Sequence, residues 1–196
     1  MPVMSIGERW FCQSPPWRWA AGRLVLGWAL QGVPLRGAVL ELGGGSGAMA
    51  EETIRRHPDC RLTVTDLDPV MVASAQRRFA DEPRVTARQA DATALPFPDG
   101  SFDVVFSHLM LHHVIEWRQA LDEVSRVLRP GGRFVGYDLV ATPLTRGLHW
   151  ADRSPHQLID RHQLGPALSQ TGLEAVQVRT AAGGQAMRFT ATKGSS

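Results

Sequence analysis

The chain has 196 residues, of which 43% are hydrophobic and 20% charged, and its formal net charge at pH 7 is only +2. This composition is typical of a globular domain and excludes a largely disordered chain. The arginines are scattered among acidic residues, so no basic stripe for nucleic acid is expected. Two cysteines, Cys12 and Cys60, are too few for a disulfide framework and favour a reduced, cytoplasmic protein.

Residues 1–36 differ in character from the rest of the chain. They contain Trp10, Trp17, Trp19 and Trp28. Residues 16–32, "PWRWAAGRLVLGWALQG", predict one amphipathic helix, and its apolar run is too short to span a bilayer. No signal peptide is expected. We predict that residues 1–36 form a helical flap over an acceptor pocket, and plain helix packing by the tryptophans is the alternative.

From residue 37 onwards, predicted strands and helices alternate. The strands are continuously apolar, as in a parallel sheet that is covered on both faces. Asp68 followed by Pro69 predicts a helix start, with Asp68 as the N-cap. We predict strands at 38–42, 61–66, 84–89, 102–107, 133–141, 173–181 and 186–193, and helices at 47–57, 69–80, 116–128 and 156–171. This order predicts a three-layer α/β sandwich over residues 37–196, closed by a C-terminal hairpin.

A glycine-rich turn, "VLELGGGSGAMA", joins the first strand to the first helix of this domain. Such a turn exposes backbone N–H groups and the positive end of a helix, which is where nucleotides bind. Gly43, Gly45 and Ala48 fit the spacing of a dinucleotide-binding turn, and Asp66 follows where a ribose-binding acid is expected. On these two features alone, NAD remains possible.

Glu41, two residues before the first glycine of the turn, favours a different ligand. A carboxylate at this strand end would repel a pyrophosphate and attract a cofactor that carries positive charge. S-adenosylmethionine has an ammonium and a sulfonium group and no phosphate. The alternative is that Glu41 only pairs with an arginine.

Two further segments carry a family resemblance. Residues 90–114, "ADATALPFPDGSFDVVFSHLMLHHV", and residues 120–138, "ALDEVSRVLRPGGRFVGYD", contain LPF, SFD and PGG in that order. With the glycine turn, they resemble class I S-adenosylmethionine-dependent methyltransferases, particularly the group that acts on small molecules. The resemblance runs from about Val39 to Lys193. It implies a Rossmann-like three-layer α/β/α sandwich with a mostly parallel seven-stranded sheet and a C-terminal antiparallel hairpin.

The resemblance also implies roles for residues at the adenosine end of the cofactor. Asp66 would bind the ribose hydroxyls, and Leu67 would pack on the adenine. Asp91 would accept a hydrogen bond from the adenine amino group, and the N–H of Ala92 would meet a ring nitrogen. Carboxylates suit these positions because they accept strong hydrogen bonds from hydroxyl and amine donors.

At the methionine end, the resemblance assigns the strand end and the glycine turn. Glu41, Gly43, Gly44 and Gly45 would bind this part of the cofactor, with the backbone of the turn in close contact. Ser107, at the end of the fourth strand, would lie beside the methionine ammonium and the methyl group. S-adenosylhomocysteine would be the product.

Methyl transfer is an in-line displacement that also needs a general base when the acceptor must lose a proton. Histidine titrates near neutral pH, and His108, His112 and His113 follow the fourth strand. We take His108, and then His112, as the candidate bases. The alternative is that "LHHV" is scaffold, since similar residues accompany many substrates in the family. No metal site is expected, because no acid accompanies the histidines closely.

The segment after the fourth strand favours a small-molecule acceptor over nucleic acid, and no membrane partner is expected. It reads "SHLM", whereas enzymes that methylate bases carry an Asn/Asp-Pro-Pro-aromatic run there. A homodimer is possible. Two alternatives stay open: a catalytically inactive cofactor-binding or partner-activating subunit, and an NAD-dependent oxidoreductase. The acceptor and the methylated atom are not readable from the sequence.

Overall fold

The computed structural model describes residues 25–152 and 157–195. Within these residues the chain forms one seven-stranded sheet with helices on both faces. The strands are β1 (Gly37–Leu42), β2 (Cys60–Asp66), β3 (Val85–Gln89), β4 (Phe102–His108), β5 (Leu128–Leu139), β6 (Leu173–Ala181) and β7 (Ala186–Lys193). Their order is β3-β2-β1-β4-β5-β7-β6. β1 to β5 are parallel, and β7 pairs antiparallel with both β5 and β6.

The helices connect these strands. In chain order they are α1 (Leu26–Leu30), α2 (Ala48–Arg56), α3 (Pro69–Arg78), α4 (Trp117–Val127), α5 (Pro143–Asp152) and α6 (Arg161–Gln170), with 3-10 turns at Leu111–His113 and Ala182–Gly184. The predicted N-cap of α3 is confirmed, because Asp68 accepts a hydrogen bond of 2.9 Å from the backbone N–H of Val70. No helix in the described ranges is long and apolar enough to cross a bilayer.

The sheet separates two hydrophobic cores, which we call the α1 side and the α4 side. On the α1 side, Leu26 and Leu30 pack with Phe106 of β4. On the α4 side, Trp117 and Leu164 belong to the larger core. Because β1, β2 and β4 are covered on both faces, their buried residues run almost without interruption, as the apolar sequence patterns predicted.

The predicted fold class is confirmed, and most predicted strands and helices agree within a few residues. β5 begins at Leu128 and not at 133, because the Arg129–Gly132 stretch continues alongside β4 across a register shift. α5 was not predicted. Its sequence signal is Thr142 before Pro143, the same arrangement as Asp68 before Pro69, and the hydroxyl of Thr142 accepts from the N–H of Thr145.

The predicted helix over residues 16–32 and the flap over residues 1–36 lie largely outside the described residues. In the described part, Leu26, Ala29 and Leu30 are buried against the sheet, and Gln31 ends α1 in a left-handed conformation. The flap therefore stays a prediction for residues 1–24.

Candidate functional site

The carboxyl ends of β1, β2 and β4 lie side by side in the sheet. Leu42, the last residue of β1, is paired with Thr65 of β2 and with Ser107 of β4. Open parallel sheets bind ligands at this edge, where connections diverge from neighbouring strands. The fold therefore brings Glu41, Asp66 and Ser107 to the same edge of the sheet.

The turn between β1 and α2 exposes its backbone at one glycine. Gly43, Gly45 and Gly47 have φ values of 62°, 55° and 82°, which residues with a Cβ rarely adopt. A Cβ on Gly43 would lie 2.1 Å from Cγ of Met110, whereas a Cβ on Gly45 would meet nothing within 4 Å. The turn is thus covered by the protein at Gly43 and open at Gly45, where a ligand can approach the backbone.

The carboxyl group of Glu41 is buried beneath this turn. Glu41 is only 1% exposed, its Oε2 has no hydrogen-bond partner, and no arginine of the described residues pairs with it. A Cβ on Gly44 would lie 2.9 Å from the Glu41 carboxyl carbon, so only glycine fits there. Burial, and after it the charge of Asp66, raises the pKa of Glu41 to about 8. A buried, unpartnered carboxyl is costly, and a cationic ligand would relieve that cost.

Asp66 connects the glycine turn to the start of α3. Its Oδ2 accepts a hydrogen bond from the N–H of Gly45, and its Oδ1 accepts one from the N–H of Asp68, both at 2.9 Å. Burial is the main reason why the pKa of Asp66 is raised. Leu67 follows half-buried, and its carbonyl accepts from Nε2 of Gln89 at 2.9 Å. Asp66 is therefore held firmly beside the open glycine.

Asp91 and Ala92 lie close to the end of β2. The N–H of Ala90 donates to the carbonyl of Asp66 at 3.0 Å, which places this segment beside Asp66. Oδ1 of Asp91 accepts from both the N–H and the hydroxyl of Thr93, at 2.8 and 2.7 Å. Ala92 is buried. The two aspartates predicted to bind adenosine are thus on neighbouring segments.

Ser107 and His108 end β4, but they face opposite sides of the sheet. Side chains alternate along a strand, and Val105 belongs to the α4-side core whereas Phe106 belongs to the α1-side core. Ser107 therefore faces the α4 side, where its hydroxyl is fully buried and has no hydrogen-bond partner within residues 25–152 and 157–195. The sequence did not anticipate that these neighbours approach the site from different faces.

The imidazole of His108 is enclosed by aromatic rings on the α1 side. Its centroid is 4.9 Å from that of Phe106 and 5.4 Å from that of Tyr137. Neither ring nitrogen has a hydrogen-bond partner among the described residues, and burial lowers the pKa of His108 to about 3. Titration of this residue near neutral pH, expected from its type, is wrong for this structure. The imidazole is therefore neutral, and both of its nitrogens are buried.

His112 is held by a residue that the sequence analysis missed. Its Nδ1 lies 2.5 Å from Oδ1 of Asp138, and its backbone N–H donates to Oδ2 of Asp138 at 3.2 Å. Both residues are buried on the α4 side. Since an ionised carboxylate only accepts, this contact assigns the proton to Nδ1 of His112. Asp138 lies near the carboxyl end of β5. A carboxylate at that strand end was the feature of the sequence that could have indicated a partner for His112.

The ring of His113 packs on that of His112, with centroids 4.0 Å apart. Within the described ranges, no three histidine, cysteine, aspartate or glutamate side chains gather into a possible metal site. The three histidines after β4 therefore have different surroundings: an aromatic enclosure for His108, a carboxylate for His112, and a ring contact for His113.

Comparison with known proteins identifies relatives of this domain. The family described as "Methyltransferase domain" matches residues 40–136. A demethylmenaquinone methyltransferase of Thermus thermophilus is 37% identical over 127 residues, covering 64% of this chain and 56% of the relative. A malonyl-[acyl-carrier protein] O-methyltransferase of Halorhodospira halophila is 33% identical over 140 residues, covering 68% of this chain and 47% of the relative. The chain spans about half the length of these relatives.

The fold is also shared with solved structures. The YcgJ protein of Bacillus subtilis superposes with a TM-score of 0.73, covering 89% of this chain and 98% of that one at 20% identity. At this identity, the likeness supports the fold.

Proposed function

We propose that this chain is a class I S-adenosylmethionine-dependent methyltransferase that transfers a methyl group from S-adenosylmethionine to a small-molecule acceptor, since the methyltransferase domain family matches residues 40–136. One observation carries this proposal. The unpartnered carboxyl of Glu41 is buried under a glycine turn that is open at Gly45. An ammonium group would satisfy this carboxyl, whereas the pyrophosphate of NAD would be repelled by its charged form.

The residues present fit the cofactor at both ends. The ammonium would bind near the buried carboxyl of Glu41, whose Oε2 has no partner among the described residues, and Ser107 lies at the neighbouring strand end on the opposite face of the sheet. The backbone at Gly45 leaves room for the methionine portion. At the other end, the carboxylates of Asp66 and Asp91 each have lone pairs beyond those that their backbone donors use, so they can accept from ribose hydroxyls and the adenine amino group.

The bound cofactor supplies an electrophilic methyl group, and the chain supplies position and hydrogen bonds. Leu67 would pack against the adenine, and the N–H of Ala92 would donate to a ring nitrogen. His108 receives the acceptor, because its neutral imidazole has unpartnered nitrogens close to the strand end. An acceptor hydroxyl that donates to this imidazole is held in place while the methyl group is transferred.

The names of the relatives support a class of acceptor. One is a demethylmenaquinone methyltransferase, and the other is an O-methyltransferase of malonyl-[acyl-carrier protein]. We therefore propose a small or carrier-bound organic acceptor, with no role for nucleic acid or a membrane and with a homodimer as one possible assembly.

Calorimetric titration of the full chain tests the cofactor first. S-adenosylhomocysteine should bind and NAD should not. Gly45→Ala should abolish or strongly weaken this binding, because the new Cβ fills the open space, while the protein still folds at a cost of about 1–2 kcal/mol for the left-handed conformation. Gly172→Ala is the matched control, since Gly172 also has a positive φ and open surroundings and is remote in sequence from the turn.

A labelled methyl donor then tests the activity with quinols, phenols, carboxylates and amines. Methyl incorporation into one of them establishes the reaction. Tight binding of NAD without binding of S-adenosylhomocysteine would refute the proposal. Cofactor binding with no transfer to any acceptor class would favour an inactive or partner-activating subunit.

A further inference from the structure

A basic cavity of about 280 Å³ lies on the α1 side of the sheet, against β5, β7 and β6 and beside the end of α1. Its lining residues are Gln31, Arg133, Gln177, Arg179, Arg188 and Thr190. This lining combines guanidinium, amide and hydroxyl groups and includes no aspartate or glutamate of the described chain.

The three arginines come together without a compensating charge. Arg179 of β6 is paired directly opposite Arg188 of β7, an arrangement in which like charges repel. None of the ion pairs found in the described ranges includes either residue or Arg133. Arg188 donates to the carbonyl of Trp28 at 3.3 Å and lies over its ring, which leaves most of its donors for other partners.

Two buried donors of the cavity have no hydrogen-bond partner in the part of the chain that the structure describes. They are Nε of Arg133 and Nε2 of Gln31. Leaving such donors unsatisfied costs free energy, and a ligand rich in acceptor oxygens would recover it. The excess of donors and the positive charge therefore both favour an anionic ligand that is rich in oxygen atoms.

We propose that this cavity binds the phosphate monoester group of a small molecule. A phosphate monoester carries nearly two negative charges and three acceptor oxygens, which matches three guanidinium groups better than a single carboxylate does. Arginine binds phosphate through two parallel N–H donors, so the half-buried Arg133 and Arg188, which extend from a rigid sheet, provide fixed geometry, and the exposed Arg179 lies beside them.

The cavity lies in line with the candidate acceptor site. His108 of β4 is paired with Tyr137 of β5, and Tyr137 is paired with Arg188 of β7. Paired residues share a face of the sheet, and two strand spacings amount to roughly 10 Å. We therefore infer that the phosphate group in the cavity belongs to the acceptor, whose other end reaches His108. This assignment to the acceptor rests on the proposed function.

Calorimetric titration of the full chain with inorganic phosphate, phenyl phosphate and acetate tests the site. Phenyl phosphate should bind at least as tightly as inorganic phosphate, and acetate at least tenfold more weakly. Arg188→Gln and Arg179→Gln should each weaken phenyl phosphate binding at least tenfold, and the exposed Arg179 tolerates substitution if Arg188→Gln fails to fold. The control Arg77→Gln, on an exposed position of α3, should bind as the parent does.

S-adenosylhomocysteine is titrated into the same samples and should bind all of them equally, so a failure of the phosphate site is distinguishable from a failure of the proposed function. Unchanged phenyl phosphate binding in both cavity variants would overturn the proposal. Equal affinity for acetate, or binding of inorganic phosphate but not of phenyl phosphate, would overturn it as well.

Discussion

Replacing Glu41 with glutamine should remove a pH dependence from the stability of the cofactor-free protein. The pKa of Glu41 is raised from 4.5 to about 8, chiefly by burial. Between these pH values the folded chain keeps a proton that the unfolded chain has released, so the free energy of unfolding falls as pH rises. The contribution of the Glu41 carboxyl to the free energy of unfolding is fully present below pH 4.5 and is lost by about pH 8.

The size of this effect follows from the pKa change. Each pH unit between 4.5 and 8 costs about 1.4 kcal/mol, so Glu41 lowers the free energy of unfolding by up to roughly 5 kcal/mol at pH 8. Glu41→Gln keeps the shape of the side chain but cannot ionise. The variant should therefore equal the parent in stability near pH 4.5 and exceed it increasingly towards pH 8.

Urea unfolding, followed by circular dichroism at pH 5, 6.5 and 8, measures this difference. Glu174→Gln, at an exposed position of β6, is the control and should follow the parent at each pH. A Glu41→Gln variant whose stability runs parallel to that of the parent over this range would refute the reasoning. It would mean that water or a counter-ion reaches the carboxyl in the folded protein.

The same carboxyl should couple cofactor binding to proton release. An ammonium bound beside Glu41 lowers its pKa, so binding of S-adenosylhomocysteine at pH 6.5 should release nearly one proton more from the parent than from Glu41→Gln. Calorimetry in two buffers with different ionisation enthalpies counts these protons. Equal proton release from both proteins would show that the ammonium does not bind at Glu41.

Three further predictions concern other residues. Asp66→Asn should weaken S-adenosylhomocysteine binding by roughly ten- to a hundredfold in calorimetry, which is the cost of one charge-assisted hydrogen bond. The control Asp81→Asn, at an exposed turn, should bind as the parent does, and equal affinity of both variants would contradict the placement of the ribose. His108→Ala should leave cofactor affinity unchanged and lower turnover on a proton-bearing acceptor by up to about 10²-fold, because the acceptor loses the imidazole that positions it. Because the pKa of His108 lies at about 3, this residue should give no inflection near pH 6.5 in the parent's pH–rate profile; normal turnover would remove it from the mechanism. Arg126→Met should lower the free energy of unfolding by about 1–3 kcal/mol in urea titrations, because its guanidinium donates to the carbonyls of Leu95 and Phe97, and an unchanged midpoint would contradict this.

Local patterns in the sequence determined most of the fold. A strand that is buried on both faces needs a continuous apolar run, and a helix start needs a capping residue, so both are visible within a few residues. The glycine turn is equally local: Gly43 and Gly45 adopt left-handed conformations that other residues avoid. α5 carries the same kind of helix-start signal, Thr142 followed by Pro143, although this helix was not predicted.

The sequence also determined the ends of β1 and β2 as a candidate site, because the carboxyl ends of parallel strands meet at one edge of the sheet. Glu41 and Asp66 could be placed there from strand boundaries alone. The chemistry that these strand ends support still depends on what surrounds each side chain.

Only the tertiary structure decided those surroundings. The proton on Nδ1 of His112 depends on Asp138, which is supplied by another strand, and the low pKa of His108 depends on aromatic rings from two strands. The cavity brings together Arg133 and Arg188 from strands far apart in the chain. Burial and charge are sums over neighbours in space, and sequence order does not specify those neighbours until the sheet has formed.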